Sequence, residues 1–281
     1  MACRSIVPGT SIEIINPAIE TGRIRFALFD FDGTISVIRE GWQRVMIPFM
    51  VEEILKLGTG ESREEIAALV EEFVTRLTGK QTIYQMIELA EAIRARGGTP
   101  LAPAEYKRMY LDRLWVRICD RVAGLKSGQI DPDDMMIMGA RSFLKGLQDR
   151  GVTMFLASGT DQEYVVDEAA ALKLECFFED RIFGAVPDYR KVDKKVIIDR
   201  ILEENHLSGP ELVVFGDGYV EIEDGKAAGG IAVGVASNEP ARCGLDQWKR
   251  NRLIGVGADI IIPDYRDGEK LLELLFAPPQ G

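Results

Sequence analysis

Apolar residues along this chain recur with two different periods, and the change of period divides it. Residues 24–30, IRFALFD, form a short apolar run between Gly22 and Gly33, which predicts a strand buried on both faces. Runs of the same kind stand at 152–158 (VTMFLAS), 212–217 (LVVFGD), 231–237 (IAVGVAS) and 258–264 (ADIIIPD). The segments DQEYVVDEAAALKL, KKVIIDRILEENHL, VEIEDGKAAG and ARCGLDQWKRNRLIGVG between and after them read as helices. Strands alternating with helices at this spacing predict an α/β fold, a Rossmann-like and mostly parallel sheet covered on both faces.

Residues 38–130 break the alternation. GWQRVMIPFMVEEILKLG, SREEIAALVEEFVTRLTG, TIYQMIELAEAIRARGG and APAEYKRMYLDRLWVRICDRVAGL each place apolar residues at i, i+3, i+4 and i+7, the stripe of a helix that packs on one side. Ser62 and Glu65 have the spacing of a capping box. The expected organisation is an α/β core from residues 1–37 and 131–281, with an N-terminal arm over 1–23, and an all-helical insert over 38–130. The turn GGTPLAP punctuates the insert, and KSGQIDPDD returns the chain to the core.

Composition narrows the partners. A share of 46 % apolar and 28 % charged residues is that of a globular chain, and a net charge of -11 disfavours nucleic acid or an anionic membrane, which need clustered Lys and Arg. An anionic substrate must then meet local positive charge or a metal. Cys3, Cys119, Cys176 and Cys243 are scattered without CxxC spacing, so they are expected to be reduced and mostly buried thiols. With no membrane-length apolar run and no signal-peptide order at the start, the expected location is the cytoplasm. His206, the one histidine, reads as a cation at a helix C-terminus, so catalysis falls to carboxylates and metals.

In parallel sheets ligands bind beyond the carboxyl ends of the strands. The first run ends in Asp30 and Asp32, the next in Ser158-Gly159-Thr160, and the third in Asp217 with Glu221 four residues on. If these strands are neighbours, the carboxylates converge, and a cluster of hard oxygens favours Mg2+. Asp30 is then a candidate nucleophile and Asp32 a general acid/base. Ser158 and nearby N–H groups could hold phosphoryl oxygens, and Lys194 or Lys195, at the start of a helix, could balance charge. Lys194 is favoured because it puts Ile197 and Ile198 toward a core at i+3 and i+4.

These residues resemble the four motifs of the haloacid dehalogenase superfamily, in its branch of phosphoglycolate phosphatases and β-phosphoglucomutases. DFDGT at 30–34 is similar to the first motif, MFLASGT with Ser158 to the second, KKVIIDRIL with Lys194 to the third and GDGYVE with Asp217 and Glu221 to the fourth. The resemblance implies a helical cap at residues 38–130 and catalytic roles for Asp30, Asp32, Ser158 and Lys194. It implies a phosphate cradle from Gly33, Thr34, Ser158, Gly159 and Lys194, and Mg2+ held by Asp30, Asp32, Asp217 and Glu221. The implied function is a Mg-dependent phosphatase acting on a small phosphate monoester, phosphoglycolate- or sugar-phosphate-like, through an aspartyl-phosphate. The alternatives are a β-phosphoglucomutase-type phosphomutase and a catalytically silent binding protein. Within the cap, Arg39, Trp42, Lys80, Gln81 and Tyr84 read as packing or surface residues rather than substrate contacts.

Overall fold

The run at 24–30 is strand β3 (Phe26–Phe29), and all four of its residues are buried. Its side chains alternate: Phe26 and Leu28 enter one apolar cluster with Ile222 and Leu253, while Ala27 and Phe29 enter a second with Phe143 and Leu272. A strand covered on both faces has no polar side to show, which is why the run is unbroken. The computed structural model describes residues 5–186, 194–206 and 209–278.

Beside β3 lie β4 (Thr153–Asp161) and β6 (Leu212–Gly216), both parallel to it, so that Phe29 stands opposite Leu156 on one side and Phe215 on the other. The rings of Phe29 and Phe215 stack at 4.5 Å. Further strands are β1 (Ser5–Ile6), β2 (Glu13–Ile14), β5 (Ile182–Ala185), β7 (Ile231–Val235) and β8 (Ile260–Ile262). They complete one sheet of order β1-β2-β8-β7-β6-β3-β4-β5. It is parallel from β8 to β5, with β1 and β2 added antiparallel at one edge. The expected arm thus contributes two paired strands, and β5 is an element that its short run had not revealed.

The insert holds four helices, α1 (Gln43–Leu55), α2 (Arg63–Arg76), α3 (Thr82–Ala95) and α4 (Pro103–Ser127). Its two connections to the core pair with each other: Val37 N–H donates to Met135 O at 2.9 Å and Ile137 N–H to Ile35 O at 2.8 Å. At α2 the capping box is formed, with Glu65 N–H donating to Ser62 Oγ at 3.2 Å and Ser62 N–H donating to Glu65 Oε2 at 2.8 Å. Ser62→Ala is expected to cost about 1 kcal/mol and to lower Tm by about 2–4 °C with turnover unchanged, checked by calorimetry beside an activity assay.

The remaining helices are α5 (Ala140–Asp149), α6 (Gln162–Ala171), α7 (Glu175–Phe178), α8 (Lys194–Asn205), α9 (Tyr219–Ala227), α10 (Gln247–Gly255) and α11 (Gly268–Leu275). Helix α10 starts later than the periodicity from residue 241 suggests. Ser237 bridges back to Leu245, and Asp246 then caps the helix by accepting from Trp248 N–H at 2.9 Å and Lys249 N–H at 3.0 Å. His206 ends α8 with a φ of 51°, in the left-handed conformation usual just past a helix. The cysteines depart from expectation: Cys119 is half-buried and Cys176 and Cys243 are exposed, all three free. Each sits on a helix surface or loop turned away from the apolar clusters, and Cys3 lies outside the described residues. Among the described residues no helix is long and apolar enough to cross a membrane.

Candidate active site

The parallel register brings the ends of β3, β4 and β6 side by side, and the residues at and just beyond those ends line one cavity of about 100 Å³. Its core wall is formed by Asp30, Asp32, Gly33, Ser158, Gly159, Thr160, Asp217 and Glu239. The insert closes the other side with Arg39, Trp42, Met46, the loop Thr78–Lys80, Gln85 and Tyr110. That loop presses on the last residues of β4. A Cβ on Gly159 would stand 3.0 Å from Lys80 O, tighter than nearly all side-chain carbon contacts.

The turn after β3 is built around one carbonyl. Phe31 O accepts from the N–H groups of Thr34, Ile35 and Ser36 at 3.3, 2.9 and 2.9 Å. Phe31 points into the core with no exposure, while Asp30 and Asp32 face the cavity. Asp30 N–H donates to Phe215 O at 2.9 Å, which fixes the first aspartate to the neighbouring strand. Thr34 is buried and outside the cavity lining; its Oγ1 accepts from Asp217 N–H at 2.9 Å and so ties the first strand end to the third. Gly33 has a φ of +79°, and a Cβ there would overlap the carboxylate of Asp217 and stand 3.1 Å from Glu239 Oε1. Gly33→Ala is expected to destabilise the protein by upward of about 1 kcal/mol and to displace Asp217, seen as a lower Tm together with a fall in activity.

Asp32 occupies the most revealing environment. Thr160 Oγ1 donates to its Oδ2 at 3.0 Å, while its Oδ1 is buried and accepts no hydrogen bond. Burial pushes the carboxyl up to about 7; the Arg39 guanidinium opposes this, and Glu168 and Asp30 add to it. A carboxyl poised there can give and take a proton near neutrality. Arg39 is held by Glu168, with Nη2 donating to Oε1 at 2.6 Å and Nε to the same carboxylate at 3.0 and 3.1 Å. This buried pair links the start of the insert to α6.

Ser158 is buried and its Oγ accepts from Thr160 N–H at 3.1 Å, which leaves the hydroxyl proton free to donate. Asp217 accepts from Lys249 Nζ at 2.7 Å. Glu221 is fully buried at the start of α9 and does not line the cavity; a Cβ on Gly216 would stand 3.0 Å from its Oε2. Lys194 begins α8, and its side chain and that of Lys195 lie outside the described residues.

Among the described residues, no three His, Cys, Asp or Glu side chains converge tightly enough to cage a metal unaided. Magnesium is commonly bound through one or two carboxylates, waters and a substrate phosphate. Asp30 and Asp217 beside the hydrogen-bond-free Asp32 Oδ1 fit that demand in donor type.

Three of the cap residues read from sequence as packing or surface, Arg39, Trp42 and Lys80, line the cavity, whereas Gln81 and Tyr84 do not. Their position follows from the fold, since the insert's first turn and its α2–α3 loop lie over the strand ends. Sequence reasoning missed Thr160, Ser237, Glu239 and Lys249. Thr160 and Ser237 carried a signal, as residues at the ends of the runs MFLASGT and IAVGVAS; Glu239 and Lys249 come from a loop and α10 with no motif of their own.

Residues 24–229 match the family model of haloacid dehalogenase-like hydrolases. No curated protein matches this chain. A predicted phosphoglycolate phosphatase from Haemophilus somnus 129PT shares the fold at a TM-score of 0.58 and 13 % identity, over 89 % of this chain and 98 % of that one. A HAD family hydrolase from Deinococcus radiodurans R1, solved with bound phosphate and sodium, matches at 0.54 and 17 % identity over 92 % and 99 %. CbbY from Rhodobacter sphaeroides, solved with phosphate, matches at 0.53 and 19 % over 86 % and 95 %.

Proposed function

The chain belongs to the haloacid dehalogenase-like hydrolases, and on that premise we propose that it is a Mg-dependent phosphatase that hydrolyses a small phosphate monoester through an aspartyl-phosphate at Asp30. The observation that carries this reading is the pairing of two aspartates on one turn with different environments. Asp30 faces the cavity as a candidate nucleophile, and Asp32 beside it is pushed up to about 7, so that it keeps its proton until the leaving group needs it.

In the first step an oxygen of Asp30 attacks phosphorus, the bond from phosphorus to the ester oxygen breaks, and Asp32 passes its proton to that departing oxygen. In the second, water attacks phosphorus while Asp32, now ionised, takes the water proton; the Asp30–phosphorus bond breaks and inorganic phosphate leaves. Ser158 Oγ–H and the N–H of Gly159, both at the cavity wall, would hold phosphoryl oxygens through both steps, with Lys194 as the motif lysine. Mg2+ would be held by Asp30 and Asp217 and would supply charge neutralisation for the phosphoryl group; of the other two ligands read from the sequence, Asp32 is given to proton transfer and Glu221 lies outside the cavity lining.

The insert, taken as a cap over residues 38–130, selects the leaving group. A cavity of about 100 Å³ walled by Trp42, Met46 and Tyr110 with Arg39 and Lys80 suits a small phosphorylated metabolite. Free thiols, two of them exposed, agree with a reducing compartment and a cytoplasmic enzyme. The test is phosphate release from a panel of phosphorylated metabolites with and without Mg2+. Release from none of them, at any metal concentration, overturns the proposal, and transfer to a sugar acceptor without release favours the mutase.

A further inference from the structure

Lys249 places a cation where no sequence motif put one. Its ammonium donates to Asp217 Oδ2 at 2.7 Å, Glu239 Oε1 at 2.6 Å and Ser237 Oγ at 3.3 Å. An ammonium has three N–H donors, and all three are in use. The group is largely withdrawn from solvent, with 13 % of its side chain exposed and 12 % and 16 % for Asp217 and Glu239. Ser237 Oγ in turn donates to Gly33 O at 2.7 Å, which joins the cluster to the turn that carries Asp30 and Asp32. Lys249 also stands in the first turn of α10, whose start is pinned by Asp246 accepting from its own backbone N–H.

A lysine committed in this way has no donor left for a substrate phosphoryl group, so its role lies with the carboxylates. We propose that Lys249 is a resident counter-cation of the strand-end cluster, and that by holding Asp217 it competes with the divalent cation and sets the affinity of the site for it. This rests on the reading of the site as a Mg2+ site. The physical ground is that one positive charge beside Asp217 opposes the approach of a second cation, and in a poorly solvated cluster that opposition is far stronger than at a surface. Without Lys249, Asp217 and Glu239 carry two negative charges that a divalent cation matches.

The test is Mn2+ binding to metal-stripped protein without substrate, followed by calorimetry and electron paramagnetic resonance. Lys249→Met, which keeps most of the side-chain volume and removes the charge, is expected to bind Mn2+ at least about tenfold more tightly than wild type, with a larger metal-induced rise in Tm. Lys226→Met, which removes a half-buried lysine from Asp259 on the other side of α9, should bind as wild type. Wild-type binding with equal or weaker affinity in Lys249→Met overturns the inference and leaves the magnesium reading standing. Absence of binding by both proteins overturns both. Should Lys249→Met not fold, Glu239→Gln carries the test. It leaves Lys249 to Asp217 alone, so Mn2+ should bind several-fold more weakly; equal or tighter binding overturns the inference.

Discussion

Asp30→Asn is expected to lower phosphate release by about 10⁴-fold or more, with Tm close to wild type and no phosphate trapped on the protein after an acid quench. Asparagine has the shape of aspartate, and the backbone N–H of residue 30 still donates to Phe215 O, so the turn keeps its place. What is lost is the carboxylate oxygen that would bond to phosphorus; an amide oxygen carries no charge and is a poor nucleophile. Acid-quenched wild type should carry an acid-stable, base-labile phosphate during turnover. Full activity in Asp30→Asn would mean that water attacks the ester directly and that the aspartyl-phosphate reading is wrong.

Asp32→Asn should cost turnover less, by about 10²–10⁴-fold, and should make the metal-free protein more stable at pH 8. The sign follows from burial. The folded carboxyl ionises at about 7 against an unperturbed 3.8, so its charged form is disfavoured in the fold. The resulting penalty is absent below about pH 4, grows as pH rises toward 7, and is complete above it, at the order of a few kcal/mol. Asparagine has no charge to bury. Thermal unfolding in a chelator at pH 4 and pH 8 checks this: the variant and wild type should agree at the lower pH and diverge at the higher, with the variant above. A variant no more stable at pH 8 would show that Asp32 is not carried in the fold as a strained carboxylate.

These two expectations trace to a stretch readable before any coordinates. An unbroken apolar run predicts a strand covered on both faces, and β3 has that burial at each of its four residues. Period-two alternation past its end predicts that Asp30 and Asp32 share a direction and that Phe31 does not, and Phe31 is indeed sealed in the core. The helical insert was equally legible, because its stripes are long and the cap of α2, Ser62 with Glu65, is local. Short elements were less so: β5 has four residues, too few to establish a period, and α5 is ten residues long with a single stripe of Ala140, Phe143, Leu144 and Leu147.

What the sequence determined by itself was the set of groups whose role depends on their own strand, namely the aspartate pair, Ser158 and Asp217 at strand ends. Local periodicity and chain order suffice for these, since each strand carries its chemistry to the same edge of a parallel sheet. The tertiary structure alone decided the electrostatics. Burial pushes Asp32 up, with Arg39 and Thr160 opposing and Glu168 and Asp30 adding to it, and the cation on Asp217 comes from Lys249, 32 residues further along. Charge interactions in a poorly solvated space depend on distance through space and on what else is buried there, and neither quantity is written in the order of residues along the chain.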